Sequence, residues 1–237
     1  MITLSGITKR FGRLEVLRGV SVTAGAGRVT GIVGPNAAGK TTLMKIILGL
    51  TRPDQGEVFV GNTRVNGDER YRSDIGYMPQ IARFPSNLTG RELIGMLRDI
   101  RSSQALTDDD LVASLGVESE LDKKLNVLSG GTRQKINAVA AFMFDPAILI
   151  LDEPTAGLDP RSSAVFKDRI LADRGRGKTV IITSHVMSEL EELADDVILI
   201  WDGKVQFSGS TDEIIGLTRQ ANLERAVAQL MSRGFAA

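Results

Sequence analysis

The strongest chemical signal in the chain is Gly34-Pro35-Asn36-Ala37-Ala38-Gly39-Lys40-Thr41, which has the spacing of a loop that cradles phosphate. Small residues let successive backbone N–H groups converge on an anion, and a helix beginning at Lys40 adds its positive dipole end. Lys40 then reaches the outer phosphates, and Thr41 offers a hydroxyl to magnesium. A second signal is Leu149-Ile150-Leu151-Asp152-Glu153, an apolar run ending in two carboxylates. It sets a metal-facing Asp152 beside a Glu153 able to orient or deprotonate water. Alone, such a pair is as readily an acidic helix cap, and the phosphate loop is what gives it catalytic weight. Leu128-Ser129-Gly130-Gly131-Thr132-Arg133-Gln134-Lys135 supplies a second set of small residues at a helix start. Ser129 is the candidate N-cap, and the free N–H groups above it can hold an anion. A plain cap is the bland reading, but two anion-grasping helix starts in one chain suggest a shared nucleotide.

These residues need elements to carry them. Alternating apolar residues at 2–5 and 14–22 predict half-buried strands of an antiparallel flap. Residues 28–33 predict the strand that feeds the phosphate loop, and residues 40–50 the helix after it, stopped by Gly49 and Pro53. Strands are expected at 57–60 and 74–78, and helices at 90–101, 108–115 and 130–144. The runs at 147–151, 180–182 and 197–200 read as fully buried strands with a helix on each flank. Strands alternating with helices predict an α/β fold with a mainly parallel sheet covered on both faces. Residues 1–237 read as a single domain, with a helical insertion at about 81–144 and a C-terminal helical tail at about 210–237.

Bulk composition excludes several classes. The 29 basic and 29 acidic residues balance, so charge favours neither nucleic acid nor a polybasic grip on lipid. The absence of cysteine excludes disulfides and thiolate metal sites. Met1-Ile2-Thr3-Leu4-Ser5-Gly6 lacks the pattern of a secretory signal, so export is not expected. The longest apolar stretch, residues 138–151, is broken by Asp145-Pro146 and falls short of a spanning helix. If a membrane is involved, another chain crosses it.

The order of these motifs resembles that of the nucleotide-binding subunits of ATP-binding-cassette transporters over nearly the whole chain. The resemblance implies a P-loop NTPase core with an antiparallel β flap and an inserted helical subdomain, and the cofactors ATP and Mg2+. By it the phosphate loop, with Thr42, is the Walker A motif, Gln80 the Q-loop glutamine, residues 128–134 the signature, Asp152 the Walker B aspartate and Glu153 the catalytic glutamate. Leu158-Asp159 matches the D-loop. His185, the one histidine, would alone be an ordinary residue, yet after Ile181-Ile182-Thr183-Ser184 it matches the switch histidine. Phe11 resembles the adenine-stacking aromatic. The implied nucleotide contacts are thus Phe11, the loop Gly34, Pro35, Asn36, Ala37, Ala38, Gly39, Lys40, Thr41 and Thr42, together with Gln80, Ser129, Gly130, Gly131 and Asp159. Thr41, Gln80 and Asp152 are the implied metal contacts, and Glu153, His185 and Lys40 the catalytic groups. Ala37 stands where the family has glycine; if that position is left-handed it carries roughly 1–2 kcal/mol of strain, which is expected to be tolerated. Thr132 stands where glutamine or methionine is frequent.

The resemblance further implies a head-to-tail homodimer with each ATP between the Walker A loop of one copy and Ser129-Gly130-Gly131 of the other, acting on a separate integral membrane permease. The expected location is cytoplasmic, peripheral on the inner face of the membrane, with no nucleic-acid partner. Tyr77-Met78-Pro79-Gln80, Phe84-Pro85-Ser86-Asn87-Leu88-Thr89 and Leu223-Glu224-Arg225-Ala226-Val227 are similar to the exporter-type branch, including the copper-maturation ATPase of nitrous oxide reductase. Metal, sulfur, drug and lipid cargoes stay open. The competing class is a soluble ATPase of the superfamily acting in DNA repair or translation, but its usual long arms, zinc insertions or paired cassettes are missing. A module that binds without hydrolysing is opposed by the presence of both Glu153 and His185.

Overall fold

The computed structural model describes residues 1–67, 69–101 and 109–234. In chain order it runs β1 (Ile2–Phe11), β2 (Leu14–Ala24), β3 (Val29–Val33), α1 (Lys40–Ile47), β4 (Gln55–Val60), β5 (Thr63–Arg64), β6 (Ile75–Met78), α2 (Gly90–Arg101), α3 (Asp109–Leu115) and α4 (Gly130–Phe142). There follow β7 (Ile148–Asp152), α5 (Pro160–Gly175), β8 (Thr179–Thr183), α6 (Met187–Leu193), β9 (Asp196–Trp201), β10 (Lys204–Ser210), α7 (Thr211–Thr218) and α8 (Leu223–Gly234). One sheet has six strands in the order β10-β9-β3-β8-β7-β6, and a second has four in the order β2-β1-β4-β5. Five strands of the larger sheet are parallel and β10 alone is antiparallel; the smaller sheet is antiparallel throughout. This is the expected α/β architecture, a mainly parallel sheet with an antiparallel β flap.

The buried runs are continuous because both faces of the parallel sheet are covered, and the pleat sends alternate residues to opposite sides. Val29, Val33, Leu149, Leu151, Val180, Ile182, Val197 and Leu199 join one core with residues of α2 to α6 and α8, including Leu93, Ile136 and Phe166. Ile32, Ile148, Ile150, Ile181, Ile198 and Ile200 join the other core with α1 and the flap, through Leu43, Met44, Ile2 and Leu17. The flap therefore lies on the face from which α1 rises, and the helices of the predicted insertion lie on the opposite face. Phe142 of α4 meets Phe166 of α5 edge-on, with ring centroids 5.3 Å apart, which fixes the signature helix beside the sheet.

Several boundaries differ from those predicted from periodicity. The helix expected at 40–50 ends at Ile47, because Gly49 takes a left-handed φ of 65° there. Asp108 of the predicted 108–115 helix and residues 235–237 of the predicted tail lie outside the described residues. The run at 197–200 is not flanked by helices on both sides: β9 turns directly into β10. The turn is Asp202-Gly203, with φ of 46° and 71°, the doubly positive pattern of a two-residue hairpin. β10 escaped periodicity because only alternate residues are half-buried and its register slips between Val205 and Phe207.

Between β3 and α1 the backbone visits conformations that constrain side chains. Gly34 has φ 151°, and a Cβ there would sit 2.1 Å from the Ile200 carbonyl oxygen on β9. Gly39 has φ 105°, and its Cβ would lie 2.6 Å from Leu17 and 3.0 Å from the Val16 carbonyl of the flap. Ala37 has φ 64°, so the left-handed geometry anticipated for it is present. Ala37→Gly should therefore stabilise the fold by up to about 1 kcal/mol, the strain relief less the chain entropy of glycine. Urea denaturation measures it, and an unchanged or lowered midpoint refutes the strain.

A second close approach holds α4 against β6. A Cβ at Gly76 would meet the Ala141 carbonyl oxygen at 2.1 Å and Pro146 at 2.7 Å, whereas one at Gly95 of α2 would meet nothing within 4 Å. Gly76→Ala is expected to cost at least about 2 kcal/mol, a fall of roughly 4–8 °C in thermal midpoint for a chain of this size. Gly95→Ala should instead gain up to about 1 kcal/mol from helix propensity. Calorimetry of the two variants checks both signs.

Candidate active site

The phosphate loop, the end of β7 and the end of β8 lie side by side because β3, β8 and β7 are neighbours in one parallel sheet, so their C-terminal ends open on the same edge. That edge borders a cleft of about 390 Å³ lined by Phe11, Leu14, Val16, Asn36, Ala37, Ala38, Gly39, Lys40, Thr41, Thr42, Gln80, Asp152, Glu153 and His185. Most of the site residues expected from sequence are therefore brought together here. Phe11 closes one side from the end of β1; it is half exposed, and the Lys9 ammonium sits 5.4 Å from its ring centroid.

Lys40 begins α1 and is buried, and its Nζ donates to the carbonyls of Gly34 at 2.7 Å and Pro35 at 3.0 Å. Burial pulls the Lys40 ammonium below the ordinary lysine value, while the carboxylates of Glu153 and Asp152 hold it up. The cation is thus poised among groups that favour keeping its charge. Asp152 ends β7 with both oxygens engaged: Oδ2 accepts from Thr41 Oγ1 at 3.2 Å and Oδ1 from Thr183 Oγ1 at 2.7 Å. Burial, with the Asp152 charge adding, pushes the Tyr77 phenol up to about 12, so Tyr77 stays neutral beside this carboxylate.

Glu153 turns out of the strand in a left-handed conformation, φ 52°. Its N–H donates to Thr183 Oγ1 at 3.0 Å and to the Thr183 carbonyl at 3.2 Å. Its Oε1 lies 2.5 Å from His185 Nε2, with the carboxylate largely buried and the imidazole half exposed. A carboxylate and an imidazole in this contact, at the lip of a cleft that contains a buried lysine, can between them hold a water molecule and take its proton.

The donor set fits the groups expected there. Gly34 and Gly39 stand where no side chain fits, in a glycine-bearing turn that leads into the α1 N-terminus, the backbone setting suited to an anion. The Thr41 hydroxyl and Asp152 carboxylate are hard oxygen donors 3.2 Å apart, suited to an ion that binds through one carboxylate and substrate phosphates. Among the described residues no cluster of three or more His, Cys, Asp or Glu forms an all-protein metal cage.

Two predicted groups lie elsewhere. Ser129 caps α4, its Oγ accepting from the Thr132 N–H at 3.1 Å, and Ser129 and Gly130 are exposed outside the cleft. Gly130 and Gly131 line a separate depression with Gln80, Gln134, Ala156 and Gly157. Asp159 caps α5, accepting from the Ser162 N–H at 2.9 Å and Oγ at 2.7 Å, and pairs with Lys135 at 2.9 Å. These contacts hold the Asp159 carboxyl well below the usual carboxylate range. Glu189 was not singled out by sequence, Thr183 only as part of the strand before His185, and Gln134 only as the last residue of the signature run 128–134. Thr183 ties Asp152 to Glu153, and Glu189 Oε2 accepts from Thr155 Oγ1 at 2.8 Å and Ser184 Oγ at 2.9 Å, tying the turn after Glu153 to the segment before His185.

A family model described as ABC transporter matches residues 17–156. A Nod factor export ATP-binding protein I from Burkholderia lata is 36% identical over 219 residues, covering 90% of this chain and 72% of that protein. A daunorubicin resistance ATP-binding protein from Streptomyces coeruleorubidus is 35% identical over 218 residues, covering 90% of this chain and 69% of that protein. In structure the chain is similar to a dimeric ATP-binding cassette in a post-hydrolysis state bound to ADP and Pi, with TM-score 0.80, 25% identity, and 89% of this chain and 98% of that one covered. With the phosphate loop, the paired carboxylates and the histidine gathered on one cleft, the chain belongs to the ATP-binding-cassette transporter family and is one of its ATPases.

Proposed function

We propose that the chain is the motor subunit of an exporter, in which two copies pack head to tail and close two ATP molecules between them. The observation that carries this reading is the division of the anion-binding groups. Lys40, Thr41, Asp152, Glu153 and His185 share one cleft, while the capped helix start at Ser129-Gly130 is exposed outside it. A second copy related by a two-fold axis can lay its Ser129-Gly130-Gly131 over the open side of the first, and the contact is reciprocal and closed. The dimeric cassette similar in structure supports the arrangement.

In this reading hydrolysis is in-line attack on the γ-phosphoryl, where positioning and charge do the catalysis. Lys40 exchanges its carbonyl partners for the outer phosphates, and the loop amides and the α1 N-terminus hold the rest. Thr41 and Asp152, with Gln80 near them, would hold Mg2+, which when bound supplies charge neutralisation between the phosphate oxygens. Glu153 accepts the proton of the attacking water, and His185 fixes the carboxylate and contacts the γ-phosphate. Phe11 stacks on the base, and Asp159 meets the partner copy. Gln80 senses the nucleotide where the sheet joins the helices around residues 81–144.

Among the described residues no helix is long and apolar enough to cross a membrane, so the proposed permease is a separate integral membrane chain that holds this subunit at the cytoplasmic face. The two relatives carry names of Nod factor export and daunorubicin resistance, and by that likeness the proposed cargo is an organic molecule moved outward. Service to copper maturation rests only on the sequence cues at residues 77–80 and 84–89 and is the weaker reading. The transporter relatives also disfavour a role in DNA repair or translation.

Glu153→Gln keeps the shape and removes the base. ATP hydrolysis should fall about 10²–10⁴-fold while ATP binding survives, and the variant should accumulate as an ATP-bound dimer in size-exclusion chromatography with ATP and magnesium. Hydrolysis at the wild-type rate would leave Glu153 as a turn residue. Ser129→Arg should spare ATP binding to the monomer but block closure and hydrolysis. Sedimentation with ATP reads this, and an undiminished dimer would show that the signature segment does not face the nucleotide.

A further inference from the structure

Asn137 is almost fully buried on α4 among Ile136, Ala138, Val139 and Ala141. A carboxamide in such surroundings is costly unless its hydrogen bonds are made, and here they are. Its Nδ2 donates to the Pro79 carbonyl at 2.9 Å, the residue before Gln80, and to Gln134 Oε1 at 3.4 Å. Gln134, one helical turn earlier and also buried, donates Nε2 to the carbonyls of Glu153 at 3.3 Å and Pro154 at 3.4 Å. Two amides on one face of the signature helix thus join the backbone leading to Gln80 with the backbone of Glu153.

The joint matters because Glu153 is held in a conformation it would not choose. Its φ of 52° costs a residue with a Cβ about 1–2 kcal/mol, and such a backbone persists only when its surroundings over-determine it. The N–H side is fixed by Thr183 of β8. The carbonyl side is fixed by the Ala156 N–H at 3.2 Å and by Gln134. The direction of the Glu153 carboxylate toward His185 therefore depends on α4 as well as on the sheet. Neither Gln134 nor Asn137 borders the cleft that contains Lys40 and Phe11.

We infer that Asn137 and Gln134 form a buried amide clamp that sets the Gln80 loop and the Glu153 turn at a fixed separation, which makes Asn137 a positioning residue for hydrolysis. The inference rests on the ATPase reading of the cleft. The clamp acts on the rate of hydrolysis and leaves the holding of nucleotide to the phosphate loop. A buried asparagine with a merely structural role would change stability and leave the rate of the folded protein untouched.

The test uses Asn137→Leu, which keeps the number and branching of side-chain heavy atoms and removes the hydrogen bonds, Asn137→Ser, which shortens it, and Gln134→Leu. Steady-state hydrolysis and equilibrium ATP binding are measured well below each variant's thermal midpoint, beside wild type and Glu153→Gln. Asn137→Leu should lower kcat about 10-fold or more with KM and ATP affinity within about twofold, the signature of an interaction made on the way to the transition state. Combining it with Gln134→Leu should cost little beyond the single changes, because both break one connection. Wild-type kcat in folded Asn137→Leu, or a loss confined to KM, overturns the clamp. If that variant does not fold, Asn137→Ser decides by the same criterion: lowered kcat at unchanged KM upholds the clamp and wild-type kcat overturns it. Failure of the ATPase reading is separate, since Glu153→Gln would then hydrolyse at the wild-type rate.

Discussion

The turn between β3 and α1 runs where a side chain cannot. At Gly34 it presses on the Ile200 carbonyl of β9, and at Gly39 on Leu17 and Val16 of the flap. That double confinement pins the loop between the main sheet and the small one, directly before the α1 N-terminus. A phosphate site built from backbone gains rigidity this way, because its donors are oriented before any ligand arrives. The flap is thereby more than a cover: the same packing that fixes Gly39 brings Phe11 to the rim of the cleft.

Around that turn the charges are arranged to restrain one another. Lys40 is desolvated, which by itself favours loss of its proton, and two carboxylates oppose that loss. Asp152 is saturated by the hydroxyls of Thr41 and Thr183, one on the helix after the phosphate loop and one on the neighbouring strand. A single carboxylate therefore fastens α1, β7 and β8 at the edge where the chemistry is placed. Glu153 departs from the strand at the next residue, and its strained backbone aims its carboxylate at His185.

In the proposed dimer, the separation of Ser129-Gly130 from the cleft would link nucleotide binding by one chain to association of two. In the proposed dimer nucleotide is the element common to both surfaces, so binding and closure are coupled by mass action and hydrolysis removes the shared ligand. The signature helix α4 is then the natural carrier of the coupling. In the proposed dimer its first turn would face the partner; its middle holds Pro79 and Glu153 through Asn137 and Gln134, and its far end lies against β6 where Gly76 admits no side chain.

The sequence by itself determined what depends on neighbours along the chain. Three apolar runs, at 147–151, 180–182 and 197–200, gave strands because a strand buried on both faces is apolar at nearly every position; the glycine spacing before Lys40 gave the phosphate loop; Ser129 gave its cap because capping is a contact three residues long. Ala37 could be named as a candidate for strain only because the resembled family has glycine there, and its φ of 64° bears that out. Tertiary structure decided what depends on residues far apart. Alternate residues of one apolar run read alike, yet Ile150 faces the flap and Leu149 faces the helices, a choice made only when the sheet acquires its two covers. β10 was hidden because an edge strand half-buried on one face has no continuous apolar signal, although Asp202-Gly203 marked its turn. The long-range bonds of Gln134 and Asn137 were hidden, although Gln134 lies in the signature run, since a hydrogen bond to a carbonyl 19 or 58 residues away leaves no period in the chain. Those long-range contacts hold the backbone of the Glu153 turn from the side of α4.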